Sequence, residues 1–357
     1  MGIINEIARR TGMSAYSVCK FLSDPFGFSD KTAATVRRLY KELGGGSEDG
    51  RMSVGICIPN RPVYFWREAV RGINAAHREL KERGTELKLE FRYGEGSRGA
   101  LEELPVCDAY IIYPAVLGPE ETRAAAMPDA PTVMLNDMIP QKISDTAVYV
   151  GADGFQEGRL AAGIAAPYLE SIATVAAVSP GRVGLSVEKR IEGFTREIER
   201  LAPWVKVTPV KQELSGSLAA SFLAKKLSSD PPDCIYVATG KTCVAGLAIS
   251  KLEAKKHIVC LGHERSDADR RYLVSGCEIG YVAQDAFAQG RAAFEQIARC
   301  LTGGEMKSVI IPSEAFTTAD ALKAEGAETA LKNGSEEQQD AFAAGKTTTA
   351  TKRTGRR

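Results

Sequence analysis

The sequence predicts an N-terminal helix-turn-helix followed by two doubly wound parallel α/β lobes. Three observations predict it. Residues 1–43 carry helical apolar spacing, with a glycine between the first two segments. From residue 52 to about 322, strand-like apolar runs alternate with longer amphipathic helix patterns, the mark of parallel sheets covered by helices. About ten strands in one stretch exceed a comfortable open sheet, so two lobes with a cleft at the strand ends are the simpler solution.

The formal net charge is +1 over 357 residues, with 44% hydrophobic and 25% charged residues, ordinary values for a globular protein. No global field dictates a partner, so any nucleic-acid patch must be local. No stretch reaches about 18 consecutive apolar residues, and charges interrupt the first ten residues. Neither a membrane span nor a signal peptide is therefore expected, and the predicted location is the cytoplasm. The eight cysteines form no Cys-x-x-Cys pair, and several lie in apolar runs, as Cys57 and Cys260 do. Small buried thiols in a reducing compartment explain them.

In order along the chain, Ile4, Ile7 and Ala8 mark a first helix, and Gly12 supplies a turn. Ser14 is a natural N-cap for a second helix with Val18, Phe21 and Leu22 facing inward. Residues 29–32 cap a third helix, with Val36, Leu39, Tyr40 and Leu43 on one face. Helix, short glycine turn, helix is a helix-turn-helix signature. Seven basic and four acidic residues give this segment a net charge of +3 on an otherwise balanced chain. Such a patch suits phosphate binding; a helical oligomerisation arm with a solvated basic face has the same charge. The unit is assigned residues 1–46, a linker residues 47–51, and the lobes residues 52–322. Strands are expected at 52–58, 86–93, 107–113, 131–135, 147–151, 172–178, 205–210, 234–238, 257–261, 278–283 and 308–311. Helices are expected at 65–83, 155–170, 187–201, 217–228, 242–253 and 287–302. The stretch 323–357, rich in Ala, Gly, Lys and Thr, reads as a disordered tail.

The run Ile7-Ala8-Arg9-Arg10-Thr11-Gly12-Met13-Ser14-Ala15-Tyr16-Ser17-Val18-Cys19-Lys20-Phe21-Leu22-Ser23, with residues 28–32 and 36–43 after it, resembles the start of the LacI/GalR transcription regulators. The resemblance implies that Ala15, Tyr16 and Lys20 face base edges in the major groove. Ser14, Ser17, Ser29, Lys31 and Thr32 would hold phosphates; Tyr16 could equally be a surface tyrosine. One departure stands out. Where the family has a hinge helix that wedges into the minor groove, this chain continues Gly44-Gly45-Gly46-Ser47, which would not form that helix.

The remainder resembles that family's core, of the type 1 periplasmic-binding-protein kind, on five runs: Phe65–Ile73, Val150–Arg159, Arg190–Phe194, Leu261–Glu264, and Gln284-Asp285 with Gly290. The resemblance implies lobe 1 at about 52–152 and 284–306 and lobe 2 at about 153–283 and 307–322. The chain would cross near 151–153, 283–285 and 306–308. It also implies a cleft in which Phe65 and Trp66 form aromatic walls, while Asn136, Asp137, Arg190, Thr239, Glu264 and Gln284 line the polar side. Each has a plainer reading: core for Trp66, an ion pair for Arg190, strand-end backbone contacts for Asn136, Asp137 and Gln284, a loop carboxylate for Glu264. Arg190 with Lys241 suggests an acidic sugar as one possible ligand. The implied function is a non-enzymatic, ligand-responsive transcription regulator. Its partners would be a duplex DNA operator, a carbohydrate-like effector and a second copy of itself. The rival reading is a cytosolic sugar-binding protein whose helical arm does not read DNA.

Other chemistry is set aside. Gly94-Glu95-Gly96-Ser97-Arg98-Gly99 is a literal G-x-G-x-x-G, but the next strand ends in Tyr113-Pro114 without the acid a dinucleotide site needs. The three histidines have no metal-ligand spacing and no nucleophile elbow is present, so no cofactor and no metal are expected.

Overall fold

The computed structural model describes residues 3–23, 30–43, 52–60, 63–94, 106–118, 123, 125–181, 184–252, 256–264 and 277–320. The predicted linker 47–51, Ser29, the glycine loop 95–99 and the tail 323–357 lie outside them, as do the side chains of Lys20 and Lys31.

Three helices open the chain: α1 (Ile3–Thr11), α2 (Ala15–Ser23) and α3 (Asp30–Glu42). Gly12 takes φ 70° between the first two, a left-handed turn that suits a residue without a Cβ. The Ser14 hydroxyl then accepts the Ser17 backbone N–H at 3.0 Å and caps α2.

The first lobe holds β1 (Ser53–Pro59), α4 (Val63–Glu82), β2 (Lys88–Gly94), β3 (Ala109–Ile112), β4 (Thr132–Leu135) and β5 (Ala147–Gly151). The second holds α5 (Gly154–Ala165), β6 (Thr174–Ser179), α6 (Leu185–Leu201), β7 (Lys206–Lys211), α7 (Ala219–Leu227), β8 (Cys234–Val237), α8 (Thr242–Ile249), β9 (Val259–His263) and β10 (Glu278–Gln284). The chain then returns to the first lobe as α9 (Ala286–Leu301) and β11 (Val309–Ile310), and ends in the second as β12 (Ser313–Thr317). One sheet has the order β11-β5-β4-β3-β1-β2 and is parallel throughout; the other runs β12-β10-β9-β8-β6-β7, with only β12 antiparallel. In each, strand order reverses beside the first strand, and that switch point opens a crevice at the carboxyl ends. Central strands such as β1 are buried along their whole length, which is why they read as continuous apolar runs.

Two findings correct the expected layout. Val309–Ile310 pairs with β5, so the third crossing falls at 311–312 and not at 306–308. The N-terminal helices are also not separate from the lobes. Ile4, Ile7, Val18, Phe21, Val36 and Leu39 join one apolar cluster with Met52, Val54, Phe294 and Leu301 of the first lobe, and α2 packs on α9. The Tyr40 hydroxyl meets the Asp108 carboxylate. The apolar faces that hold the three helices together extend onto the first lobe, so the unit docks there.

Helices pair closely in both lobes. A Cβ on Gly72 of α4 would overlap the Phe287 carbonyl, and one on Gly290 of α9 that of Ala69. On the other side, a Cβ on Gly158 of α5 would overlap the Arg190 carbonyl, and one on Gly193 of α6 that of Phe155. Among the described residues no helix is long and apolar enough to cross a membrane.

Candidate functional site

The predicted ligand residues come from different elements but gather at the carboxyl ends of the two sheets, where the lobes face each other. Phe65 and Trp66 lie in the first turn of α4, after β1. Asn136 and Asp137 follow β4, Thr239 follows β8, Glu264 follows β9, and Gln284 ends β10. Asn136 and Glu264 occupy corresponding places in the two sheets, and both adopt left-handed backbone, φ 63° and 54°. Such conformations cost of the order of 1–3 kcal/mol in non-glycine residues and cluster at functional sites.

The lobes are latched directly. Asp137 is 2% exposed and reaches across to the N-terminus of α6. Its Oδ1 accepts the Ser186 backbone N–H at 3.1 Å and the Ser186 hydroxyl at 3.2 Å. The same hydroxyl is also 3.2 Å from the Asn136 carbonyl. A carboxylate suits a helix N-terminus, whose first N–H groups lack partners. Burial still raises the Asp137 pKa, against the Ser186 hydrogen bonds that lower it. A second latch is the Tyr64 hydroxyl, which donates to the Gly240 carbonyl at 3.2 Å.

Arg190 is not free to receive a ligand. Its side chain is 7% exposed and its Nε donates to Glu157 at 2.8 Å, while Nη1 donates to the Ala238 carbonyl at 3.1 Å. Glu157 also accepts the Ser313 hydroxyl at 2.9 Å, so β12 closes over the pair. Desolvation opposes the charge on Arg190, but Glu157 outweighs it and the pKa rises. Beneath, Tyr236 stacks on Phe194 at 4.1 Å and its hydroxyl meets His263 Nε2 at 2.8 Å. Burial pushes the His263 pKa far down, which keeps the ring neutral.

Beside this cluster a recess of about 320 Å³ opens against the second crossing. Tyr64, Phe65 and Phe287 give it aromatic walls; Glu68, Glu264, Gln284 and Asp285 give it polar ones. Of the eight predicted ligand residues, Phe65, Glu264 and Gln284 therefore line it. Trp66 is 5% exposed and packs on Phe65 and Tyr113, with centroids at 4.9 and 5.0 Å, as core. Among the described residues the buried Thr239 hydroxyl has no hydrogen-bond partner. Neither Arg190 nor Lys241 lines the recess, which removes the basis for an acidic sugar. Sequence reasoning missed Tyr64, Glu157, Ser186 and Phe287. Only Glu157 left a signal, as a carboxylate on the otherwise small and apolar face Gly154, Gly158 and Ala161.

Glu264 Oε1 accepts the Gln284 side-chain amide at 3.0 Å, and Gln284 Oε1 accepts from Gln289 at 2.9 Å. Burial raises the Glu264 pKa from 4.5 to about 7, opposed by Arg190 and by the Gln284 bond and reinforced by Glu157. A carboxyl raised on folding favours the folded chain most below its unfolded pKa, and this contribution is lost as pH rises through about 7. Glu264→Gln is therefore expected to raise the melting temperature at pH 8 by about 2–4 °C while changing little at pH 4.5, read by calorimetric scans across pH. An equal shift at both pH values would contradict this origin. Among the described residues no group of three or more His, Cys, Asp or Glu could hold a metal ion.

Of the residues expected to contact DNA, Ser14 and Tyr16 are exposed, Tyr16 at 54%, while Ala15 is partly buried against the helical cluster. Ser17 and Thr32 are half-buried. The Ser14 and Ser17 hydroxyls lie 2.8 Å apart at the start of α2.

Comparison with known proteins agrees with this architecture. Residues 124–305 match the family model of the periplasmic binding protein domain. No curated protein matches. A glucose-galactose binding protein from Geobacillus stearothermophilus superposes with TM-score 0.62 at 16% identity, covering 76% of this chain and 99% of that one. A protein described as a LacI transcriptional regulator from Bacteroides fragilis gives TM-score 0.62 at 14% identity, covering 76% and 98%. An ABC transporter solute binding protein from Bacillus halodurans with bound myo-inositol gives 0.60 at 17%, covering 77% and 98%. At these identities the likeness is one of fold. With two six-stranded lobes, their latched crevice and a family match over half its length, the chain belongs to the periplasmic binding protein domain family.

Proposed function

We propose that the chain is a ligand-responsive transcription regulator of the LacI type. It binds a small neutral carbohydrate or polyol in the recess between its lobes and reads duplex DNA with α2. The observation that carries this reading is a capped helix with exposed Ser14 and Tyr16, joined through α9 to the recess. The helix α9 begins at the recess with Phe287 and packs on α2, so a change in lobe angle can reach the N-terminal unit without a hinge helix. Differential affinity of ligand for open and closed lobes supplies the coupling. The protein acts in the cytoplasm, by binding and not by catalysis, as a homodimer on two-fold half-sites. Neighbours of the same fold are a glucose-galactose binding protein and a solute binding protein with bound myo-inositol, which supports an uncharged polyol.

Selection from random duplex DNA, followed by footprinting, tests the DNA half. Enrichment of a palindromic site is expected, and binding without sequence preference even at low salt overturns it. Lys20→Ala should relax base preference, whereas Lys31→Ala should weaken all duplexes alike and reduce the salt slope by about one. Calorimetric titration with glucose, galactose, arabinose and myo-inositol tests the ligand half. Gln284→Ala is expected to weaken the bound sugar about tenfold, the loss of one buried hydrogen bond. The second reading, a sugar-binding protein that does not read DNA, is favoured by the docking of α2 on the first lobe. It predicts the same titrations without an enriched site.

A further inference from the structure

Two cysteines at the end of the second sheet away from the cleft stand apart from the binding machinery. Cys260 is the second residue of β9, and Cys277 immediately precedes β10. Their sulfurs are 3.8 Å apart, and the Cys260 backbone N–H donates to the Cys277 carbonyl at 2.7 Å, which fixes the two backbones side by side. Cys260 is fully buried and Cys277 is half-buried, so one sulfur is reachable from solvent while the other waits behind it.

We propose that Cys277 and Cys260 form a thiol pair that a hydroperoxide converts to a disulfide, with Cys277 as the attacked and Cys260 as the resolving sulfur. The reaction balances within the pair. The Cys277 thiolate attacks the peroxide O–O bond, its sulfur takes one oxygen as a sulfenic acid, and the other leaves as water or an alcohol after protonation. The Cys260 sulfur then attacks the Cys277 sulfur. The S–S bond forms, the S–O bond breaks, and hydroxide leaves with the Cys260 proton as water. Two thiols are oxidised by two electrons and one peroxide is reduced.

The surroundings divide the roles in this direction. The two sulfurs share a contact in which either can donate. With the Cys260 thiol as donor the Cys277 pKa is lowered against desolvation, which favours the reactive thiolate there, while as a thiol Cys277 donates to the Ile258 carbonyl at 3.8 Å. Cys260 is held as the thiol by that same bond, by burial and by the nearby Glu278. Cys234, behind both, is fully buried and pushed well up by desolvation, which makes it a poor nucleophile. The strands so tied are those whose opposite ends carry Glu264 and Gln284, hydrogen-bonded across the same pair.

The test uses the full-length reduced protein, treated with hydrogen peroxide and digested with trypsin without reduction. Cys260 and Cys277 fall in separate peptides, residues 257–265 and 272–291, each with one cysteine. A linked species about 2 Da below the summed peptides, reversed by a dithiol reductant, is expected within minutes. Cys277→Ser, at the more exposed sulfur, should abolish it and leave Cys260 unmodified. Stepwise oxidation of Cys277 to sulfinic acid without the link overturns the proposal, as does a link through Cys234. So does full alkylation of both thiols after peroxide treatment. The wild-type mapping decides without any variant.

Discussion

Glu157→Ala is expected to destabilise the second lobe by about 3–5 kcal/mol, the cost of leaving one buried charge without its partner. Arg190 and Glu157 have side chains 7% and 2% exposed, and they meet at 2.8 Å. With Glu157 gone the guanidinium keeps the Ala238 carbonyl as a hydrogen-bond acceptor and the weaker attraction of Glu264, and the Ser313 hydroxyl loses its acceptor. The double substitution Glu157→Leu with Arg190→Met removes both charges together and should recover much of the loss, because replacing a buried pair by apolar volume is often close to neutral. The two tryptophans make the measurement local: Trp66 packs in the first lobe, and Trp204, 61% exposed, lies between α6 and β7 in the second. Urea titrations of single-tryptophan variants should show the second-lobe midpoint fall while the first holds. An unchanged Trp204 midpoint in Glu157→Ala would show that the pair stabilises little.

Gly290→Val is expected to cost about 3 kcal/mol, the upper range for overpacking, because the obstacle is backbone and cannot rotate away. Any Cβ there meets the carbonyl of Ala69, and the reciprocal position Gly72 is just as tight against Phe287. The helices α4 and α9 must separate. Both also supply the recess, Tyr64 and Phe65 from one and Phe287 from the other. On the proposed function, affinity for the sugar should therefore fall together with stability, a pairing that titration calorimetry on the folded fraction would detect. The Gly158–Gly193 contact between α5 and α6 is the same device in the other lobe, but away from the recess, so Gly193→Val should lower stability and spare ligand contacts at Phe65. Equal affinity losses in both variants would contradict this separation.

The central strands and the helices around them were legible because each buries an apolar run or stripe. The expected helix at 187–201 is Leu185–Leu201, and the expected strand at 234–238 is Cys234–Val237. The final strand was not. Ser313-Glu314-Ala315-Phe316-Thr317 is a half-exposed edge that carries no run of apolar residues, and it is ordered by pairing with β10. The two-residue β11 falls inside the strand expected at 308–311; what its pattern does not reveal is that it pairs with β5, which moves the third crossing past it. At the site, the family resemblance of the runs around Phe65, Glu264 and Gln284 implied that these three would gather, and they do. What each touches was not readable. Arg190 finds Glu157 thirty-three residues away, and Asp137 finds Ser186 forty-nine away, through the packing of α5 on α6 and the meeting of two lobes. Such partners belong to tertiary geometry.

Among the described residues three passages of backbone join the lobes, at 151–153, 284–286 and 311–312. A single strap would let one half swivel freely, and two would still allow rocking about the line between them. Three straps leave hinge-like bending as the soft movement and make torsion stiff. Release of a guest then follows one angular coordinate, and breaking the Asp137–Ser186 and Tyr64–Gly240 bonds is the first step along it.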